Sequence, residues 1–429
     1  MVVHLEAPSS KSMTQRSLLI GALCPEPSVI ERALLCDDSR YLSGLLETLG
    51  CEIDWTSTAT EGDADAPPHE VALRPAATWR RPTEPLYCGN AGTAVRFGSC
   101  LSLLLDEPLV IDGDPHMRKR PIGALSDSLR QLGVDVQHLE REGCPPIALR
   151  RTKEAPSVVE VDASLSSQYA SGLLMIAPRL PSGLTVKLTT PQDTALVSMP
   201  YVEMTLSMMR AAGAAIDRPS QDTIVVAGSG YQLPAATTRR VAIESDWSAA
   251  SFLLAAGEII GTEVVLPGLL SPESSLQGDS AFAHMLAQID QQPVNRFDLS
   301  DTPDLIAPLV ARCLYARHPT EIRGAAHTRI KECDRVAVLC RELSKIGAEM
   351  IPRPDGIDMK PLSQAALTND SAPVTLDPDS DHRMAMAFGI VSLRAPSIRV
   401  AEPACVSKSF PNFWAALDSL REHDRGILT

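Results

Sequence analysis

Four times along this chain an apolar amphipathic stretch runs into a glycine and then into a short alternating segment. The instances are SRYLSGLLETLG before CEIDW, PIGALSDSLRQLG before VDVQHL, PYVEMTLSMMRAAG before AAIDR, and RVAVLCRELSKIG before AEMIPR. Each reads as a helix closed by a left-handed glycine (Gly50, Gly133, Gly213, Gly347) and followed by a strand of period two. Pro121 and Pro200 suit the first helical turn, where a missing N–H costs nothing. DSAFAHMLAQIDQQ and NFWAALDSLREHD read as fifth and sixth copies without the glycine. Upstream of each copy lies a helix of another kind, polar at its start and then strongly apolar: SKSMTQRSLLIGAL, GNAGTAVRFGSCLSLLL, SSQYASGLLMIAP, DWSAASFLLAAG, TPDLIAPLVARCLYA and DHRMAMAFGIVSL. Ser, Asn, Thr and Asp at these starts are N-cap types, and a helix N-terminus is a natural anion site. Any one of them alone is an ordinary capped, buried helix. Six in register, about 80 residues apart with one shorter interval, predict six βα-rich units, three per domain, with polar helix starts able to face one cleft. The unit is too long and too mixed for the usual helical solenoids.

At 429 residues and 44% hydrophobic the chain exceeds what one core usually serves, so two domains of roughly 200 residues are expected. No run of about 18 apolar residues occurs that would span a bilayer, and the start lacks the basic and apolar stretches of a signal peptide. A cytoplasmic protein is expected. Ten scattered cysteines show no C-x-x-C pair and no metal-ligand spacing against the histidines, which predicts reduced thiols and no zinc or disulfide framework. A net charge of −14 argues against a nucleic-acid or anionic-membrane binder. An anionic ligand must therefore meet a local basic site, and with only eight Lys against thirty-one Arg the placement of each Lys is informative.

Eight segments carry a resemblance spread along nearly the whole chain. Pro8-Ser9-Ser10-Lys11-Ser12-Met13-Thr14-Gln15-Arg16 resembles the P-G-S-K-S-x-S-N-R of the EPSP synthases, and Gly89-Asn90-Ala91-Gly92-Thr93-Ala94-Val95-Arg96 their G-N-A-G-T-x-x-R. Met117-Arg118-Lys119-Arg120-Pro121-Ile122-Gly123 is similar to R-M-x-x-R-P-I-G with its first Arg replaced by His116. Ser166-Ser167-Gln168, Gln277-Gly278-Asp279, Arg329-Ile330-Lys331-Glu332-Cys333-Asp334-Arg335, Asp381-His382-Arg383-Met384-Ala385-Met386 and Ser407-Lys408-Ser409-Phe410-Pro411 follow in the family's order.

The resemblance implies an α/β fold: a two-domain inverse α/β barrel, each domain three βαβαββ units with internal helices and outer sheets. It places residues 1–9 and 243–429 in a C-terminal-type domain on the phosphoenolpyruvate side, and 10–242 in an N-terminal-type domain on the shikimate 3-phosphate side. It implies enolpyruvyl transfer between these two small molecules by a monomer, without metal or organic cofactor, and closure of the domains on the first anionic substrate. Lys11, Gly92, Arg120, Arg335, Arg383 and Lys408 are the implied phosphoenolpyruvate residues. Ser12, Arg16, Ser166, Ser167, Gln168, Ser198, Asp304 and Lys331 are those for shikimate 3-phosphate. Asp304 is the implied base, with Lys11 and Glu332 as candidates for proton delivery.

The residue types suit that chemistry. Both substrates carry phosphate and carboxylate; Arg binds these bidentately, Lys as a point charge that exchanges protons, and each charged hydrogen bond contributes about 1.5–3 kcal/mol net. Hydroxyl and amide side chains satisfy ring hydroxyls in either sense. Taking a proton from a hydroxyl needs a nearby carboxylate, and protonating a methylene needs a donor. Asp334 reads as a helix cap, His382 as an organiser beside Arg383, and Cys88 as a core thiol.

Departures from the family pattern are Ser9 for Gly, Gln15 for Asn, Phe97 for Pro, His116 for Arg, His327 for Asn, Ser380 for Asn, and the bulky Trp247. They bear on ligand affinity and cleft geometry more than on reaction class, because every charged residue assigned to chemistry is present. Two rival readings stand beside this one. A UDP-N-acetylglucosamine enolpyruvyl transferase is expected to carry a reactive Cys where this chain has Asp114-Pro115-His116-Met117-Arg118. A non-catalytic anion-binding relative is expected to have lost Lys11, Asp304 or Glu332.

Overall fold

A computed structural model describes residues 2–57, 69–191, 195–232, 238–363 and 373–428. Gly50, Gly133, Gly213 and Gly347 all adopt positive φ, from +84° to +110°, where the four helices end. At Gly213 the demand is also steric, since a Cβ would stand 2.2 Å from the carbonyl oxygen of Gln232. The left-handed conformation alone costs a residue with a side chain roughly 1–2 kcal/mol.

The chain divides into two units, Ser9–Ile243 and Met1–Pro8 with Glu244–Thr429. In Ser9–Ile243 three four-stranded sheets share one pattern, a parallel pair followed by two antiparallel strands. The orders are Leu86–Tyr87, Leu109–Asp112, Ile147–Arg151, Val134–His138, and Val158–Asp162, Leu184–Thr189, Thr223–Val226, Ile216–Asp217. Both are βαβαββ units in chain order. The third sheet, Arg239–Ala242, Ser28–Ala33, His69–Arg74, Glu52–Ser57, is the same unit with its first strand supplied from the far end of the segment. In the other unit Val2–His4 pairs in parallel with Glu263–Val265, so there the first strand comes from the chain's start. Asn295–Asp298, Thr320–Arg323, Gly356–Met359 and Met350–Arg353 form a complete four-stranded copy, and Val374–Leu376 pairs with Ile398–Val400.

The strands alternate as period two requires: in Leu184–Thr189, Leu184, Val186 and Leu188 are buried. The polar-started helices are the inner ones. Ser167–Ile176 buries all but Gln168, His382–Val391 is buried throughout, and Lys11–Leu23 is buried from Met13 onward. A helix enclosed on every side carries apolar side chains or hydrogen-bonded polar ones, so these segments are apolar over most of their length and the buried Arg16 is hydrogen-bonded.

Three local expectations change. Pro121 lies ahead of its helix, Gly123–Gln131, because the Ile122 N–H bonds the carbonyl of Gly143 and Ile122 is not helical. The cap of Gly92–Cys100 is Ala91, Asn90 being engaged elsewhere. The segment AAIDR pairs only through Ile216–Asp217. Ser166, Asp246 and Asp381 do cap their helices through their side chains. Among the described residues no helix is long and apolar enough to cross a membrane.

Candidate active site

Within Ser9–Ile243, helix Lys11–Leu23 begins at Ser10, whose buried hydroxyl makes no hydrogen bond. Lys11 Nζ lies 3.2 Å from Asp38 Oδ2, in the first turn of helix Asp37–Thr48. The motifs passed over Asp38, since two acidic residues at a helix start are sufficiently explained by the helix dipole. Arg16 is turned into the interior. Its Nε donates to Thr205 Oγ1 at 2.7 Å, and its terminal nitrogens to Ser12 O, Ser171 Oγ and Tyr201 O. Burial lowers its pKa to about 10, with Tyr201 opposing.

Arg120 donates to Asn90 O and Oδ1, both at 3.2 Å, and lies flat against Gly92, where a Cβ would stand 2.7 Å from a terminal guanidinium nitrogen. Only a residue without a Cβ leaves room for the guanidinium there. Its neighbour Arg118 is paired with Asp112 and Glu140 instead. Gln168 joins two helices: its Oε1 accepts from Arg96 at 2.6 Å, and its Nε2 donates to Thr93 Oγ1 at 3.1 Å. Ser166 Oγ accepts from the Gln168 N–H, and Ser167 beside it is buried. Ser198 caps helix Met199–Ala211 from a left-handed conformation, φ +58°, with its hydroxyl buried and making no hydrogen bond.

The second unit gathers its candidates into one buried network centred on Arg335, whose side chain is 0% exposed. Arg335 Nε donates to Asp381 Oδ2 at 2.8 Å, one terminal nitrogen to Asp304 Oδ1 at 2.8 Å, and the other to Glu332 Oε2 at 3.0 Å. Arg383 meets the other Asp304 oxygen at 2.8 Å, and Lys408 Nζ lies 3.6 Å from Glu332 Oε1. Burial opposes charge on both sides of the network. Three carboxylates nevertheless keep Arg335 protonated, and Arg383, Arg335 and Lys331 hold Asp304 well below the usual carboxylate range. Asp279 goes the other way: burial and the Asp304 charge push it up to about 7, although the Ser248 hydroxyl donates to it.

His382 Nε2 lies 3.1 Å from an Arg383 terminal nitrogen and Asp381 Oδ1 caps the Arg383 N–H, so both organise Arg383. Asp334 caps helix Arg335–Ser344 and pairs with Arg329. Cys88 is a buried thiol, its pKa raised to about 12 by burial first and then by Asp112 and Asp38. Among the described residues no group of three or more His, Cys, Asp or Glu could hold a metal ion.

Repeated βαβαββ sheets around buried helices, with the candidate cations drawn from helix starts and from the turns beside them, are the architecture of the two-domain enolpyruvyl transferases. The chain belongs, within that class, to the EPSP synthase family: residues 2–417 match the family model described as EPSP synthase (3-phosphoshikimate 1-carboxyvinyltransferase). It is 34% identical over 414 residues to the 3-phosphoshikimate 1-carboxyvinyltransferase of Rhizobium leguminosarum bv. trifolii, covering 96% of this chain and 93% of that one. It is 35% identical over 428 residues to the protein of the same name from Opitutus terrae, covering 97% and 94%. In fold it is similar to the EPSP synthase of Acinetobacter baumannii, with a TM-score of 0.71 at 22% identity over 98% of this chain and 95% of that one.

Proposed function

We propose that this protein transfers the enolpyruvyl group of phosphoenolpyruvate to the 5-hydroxyl of shikimate 3-phosphate, releasing phosphate through a tetrahedral intermediate. The observation that carries the reading is the Arg335 network, where Asp304, Glu332, Arg383 and Lys408 from four separate motifs meet in one buried cluster. On this reading Lys11, Arg120, Arg335, Arg383 and Lys408 take the anionic groups of phosphoenolpyruvate, with Gly92 admitting Arg120. Ser12, Ser166, Ser167, Gln168, Ser198 and Lys331 take shikimate 3-phosphate, while Arg16 holds Ser12 and the Tyr201 turn in position. Residues 10–242 form the shikimate 3-phosphate side and 1–9 with 243–429 the phosphoenolpyruvate side.

Asp304 removes the 5-hydroxyl proton. Lys11, which Asp38 orients, gives the methylene its proton as the ammonium in the addition and, then as the amine, takes a methyl proton back as the C–O bond to phosphate breaks, while Glu332 sits between Arg335 and Lys408.

Phosphate release with both substrates tests the reading. Turnover is expected with shikimate 3-phosphate as acceptor and none with UDP-N-acetylglucosamine; release with neither would favour a binding protein without turnover. Lys11→Ala is expected to abolish release, and near-normal activity would remove Lys11 from the chemistry. Gly92→Ala places a methyl where Arg120 now lies, so the guanidinium must move. KM for phosphoenolpyruvate is expected to rise about tenfold, the worth of one weakened charged hydrogen bond. An unchanged KM would show that Arg120 does not bind that substrate.

A further inference from the structure

Strand Arg239–Ala242 runs parallel to Ser28–Ala33, and the register sets Arg239 directly across from Ser28. Side chains alternate between the faces of a sheet, and these two share the inner one: Arg239 is 6% exposed and Ser28 1%, while Arg240 faces solvent. Arg239 Nη1 and Ser28 Oγ are buried and make no hydrogen bond, and the Arg239 side chain meets no carboxylate among the described residues. Buried cations are nearly always paired and buried hydroxyls nearly always hydrogen-bonded. Two such donors side by side call for a common acceptor.

The neighbouring groups supply none. Cys24, which follows helix Lys11–Leu23, and Tyr231 are the titratable groups acting on Arg239. Burial keeps both neutral, pushing the thiol up to about 11 and the phenol well above its usual value, and the Tyr231 hydroxyl is spent on Met175 O at 2.8 Å. A second guanidinium, Arg179, donates to Leu23 O at 3.4 Å, one residue from Cys24, so positive charge gathers here without a carboxylate to balance it. We propose that Arg239 and Ser28, with Arg179 at the rim, bind one small tetrahedral oxyanion of the phosphate or sulfate kind, which ties strand Arg239–Ala242 to its sheet. A guanidinium offers an oxyanion two parallel donors and the serine hydroxyl adds a third. Arg239 and Ser28 are too deeply covered to admit the body of a carboxylated metabolite. None of these residues is assigned to either substrate, so the site stands or falls independently of the enolpyruvyl-transfer reading.

The competing role for Arg239 is purely structural, a cation beside the negative C-terminal end of helix Lys11–Leu23. Thermal unfolding of the full chain separates the two, comparing wild type, Arg239→Met and Ser28→Ala in chloride, phosphate and sulfate at matched ionic strength. Anions held by the other cations of the chain, and the general salting effect of sulfate, act on all three proteins and cancel in the differences. On passing from chloride to about 100 mM phosphate, wild type is expected to gain about 5 °C more than Arg239→Met, the shift that a ligand well above its Kd gives a unit of this size. Ser28→Ala is expected to gain an intermediate amount. In chloride Arg239→Met is expected to melt no lower than wild type, because it removes a buried charge that has no partner.

A differential gain with both anions assigns the site to tetrahedral oxyanions generally, and one with phosphate alone narrows it to phosphate. Equal gains in all three proteins would overturn the proposal. So would an Arg239→Met that is destabilised in chloride and gains as much from phosphate as wild type, which is the signature of the helix-end role. Should Arg239→Met fail to fold, Ser28→Ala decides: a gain smaller than that of wild type supports the site, and an equal gain removes it.

Discussion

Replacing Asp304 by Ala is expected to slow phosphate release about a thousandfold, within the usual range for a lost general base, while the affinity for shikimate 3-phosphate changes little. Both Asp304 oxygens are held by guanidinium groups at 2.8 Å, one from Arg335 and one from Arg383. A carboxylate so compensated is a poor base. An anionic substrate that engages the same guanidiniums draws their charge away and returns proton affinity to Asp304 at the moment it is needed. Alanine removes the base together with a competitor for Arg383, so phosphoenolpyruvate affinity should hold or tighten and the loss should sit in kcat. Single-turnover phosphate release, with calorimetry for each substrate, separates these terms. Collapse of shikimate 3-phosphate affinity with a surviving rate per bound substrate would make Asp304 a binding residue. The sign of its pKa shift also fixes the pH behaviour: a depressed carboxylate stays ionised through the neutral range, so any acid limb it contributes lies at or below the ordinary carboxylate value of about 4.

The repeat was legible because its signals are local. A glycine after an amphipathic run requires a left-handed residue, and a polar start before an all-round apolar run requires an enclosed helix; both are satisfied within one turn of the chain. The cations were legible for the same reason, as motif residues: Lys11, Arg335 and Arg383 in first helical turns, Arg120, Lys331 and Lys408 at the ends of 3-10 turns. What each cation faces was not. Nothing in the spacing of Lys11 and Asp38, or of Arg335 and Asp381, says that they meet, because those pairings are made by the packing of different helices and turns. Asn90 shows the same limit. Its side chain is of a capping type, but the Arg120 guanidinium is a stronger partner than a backbone N–H, and the cap moved to Ala91. Local chemistry named the residue and tertiary electrostatics reassigned it. His327 illustrates the converse, since its oddity against the family pattern was visible in sequence while its missing hydrogen bond required the fold.

Arg335→Met is expected to be the most destabilising single change in the site. Methionine fills much of the volume, yet it leaves Asp381, Glu332 and Asp304 around a buried space without their common cation. Breaking a buried ion pair by deleting one partner costs about 3–5 kcal/mol, and here one guanidinium serves three carboxylates. Lysine cannot restore the network, because a point charge lacks the fork that reaches three acceptors at once. The electrostatic origin predicts a direction with pH. Carboxylates stripped of Arg335 bind protons more tightly when folded than when unfolded, so the variant gains stability relative to wild type as pH falls toward 5 and loses it as pH rises. Urea denaturation at pH 5 and pH 8 measures both quantities. A deficit that is the same at the two pH values would assign the loss to packing, and a deficit below about 1 kcal/mol, the worth of an exposed pair, would mean that Arg335 does not bind these carboxylates in the folded protein.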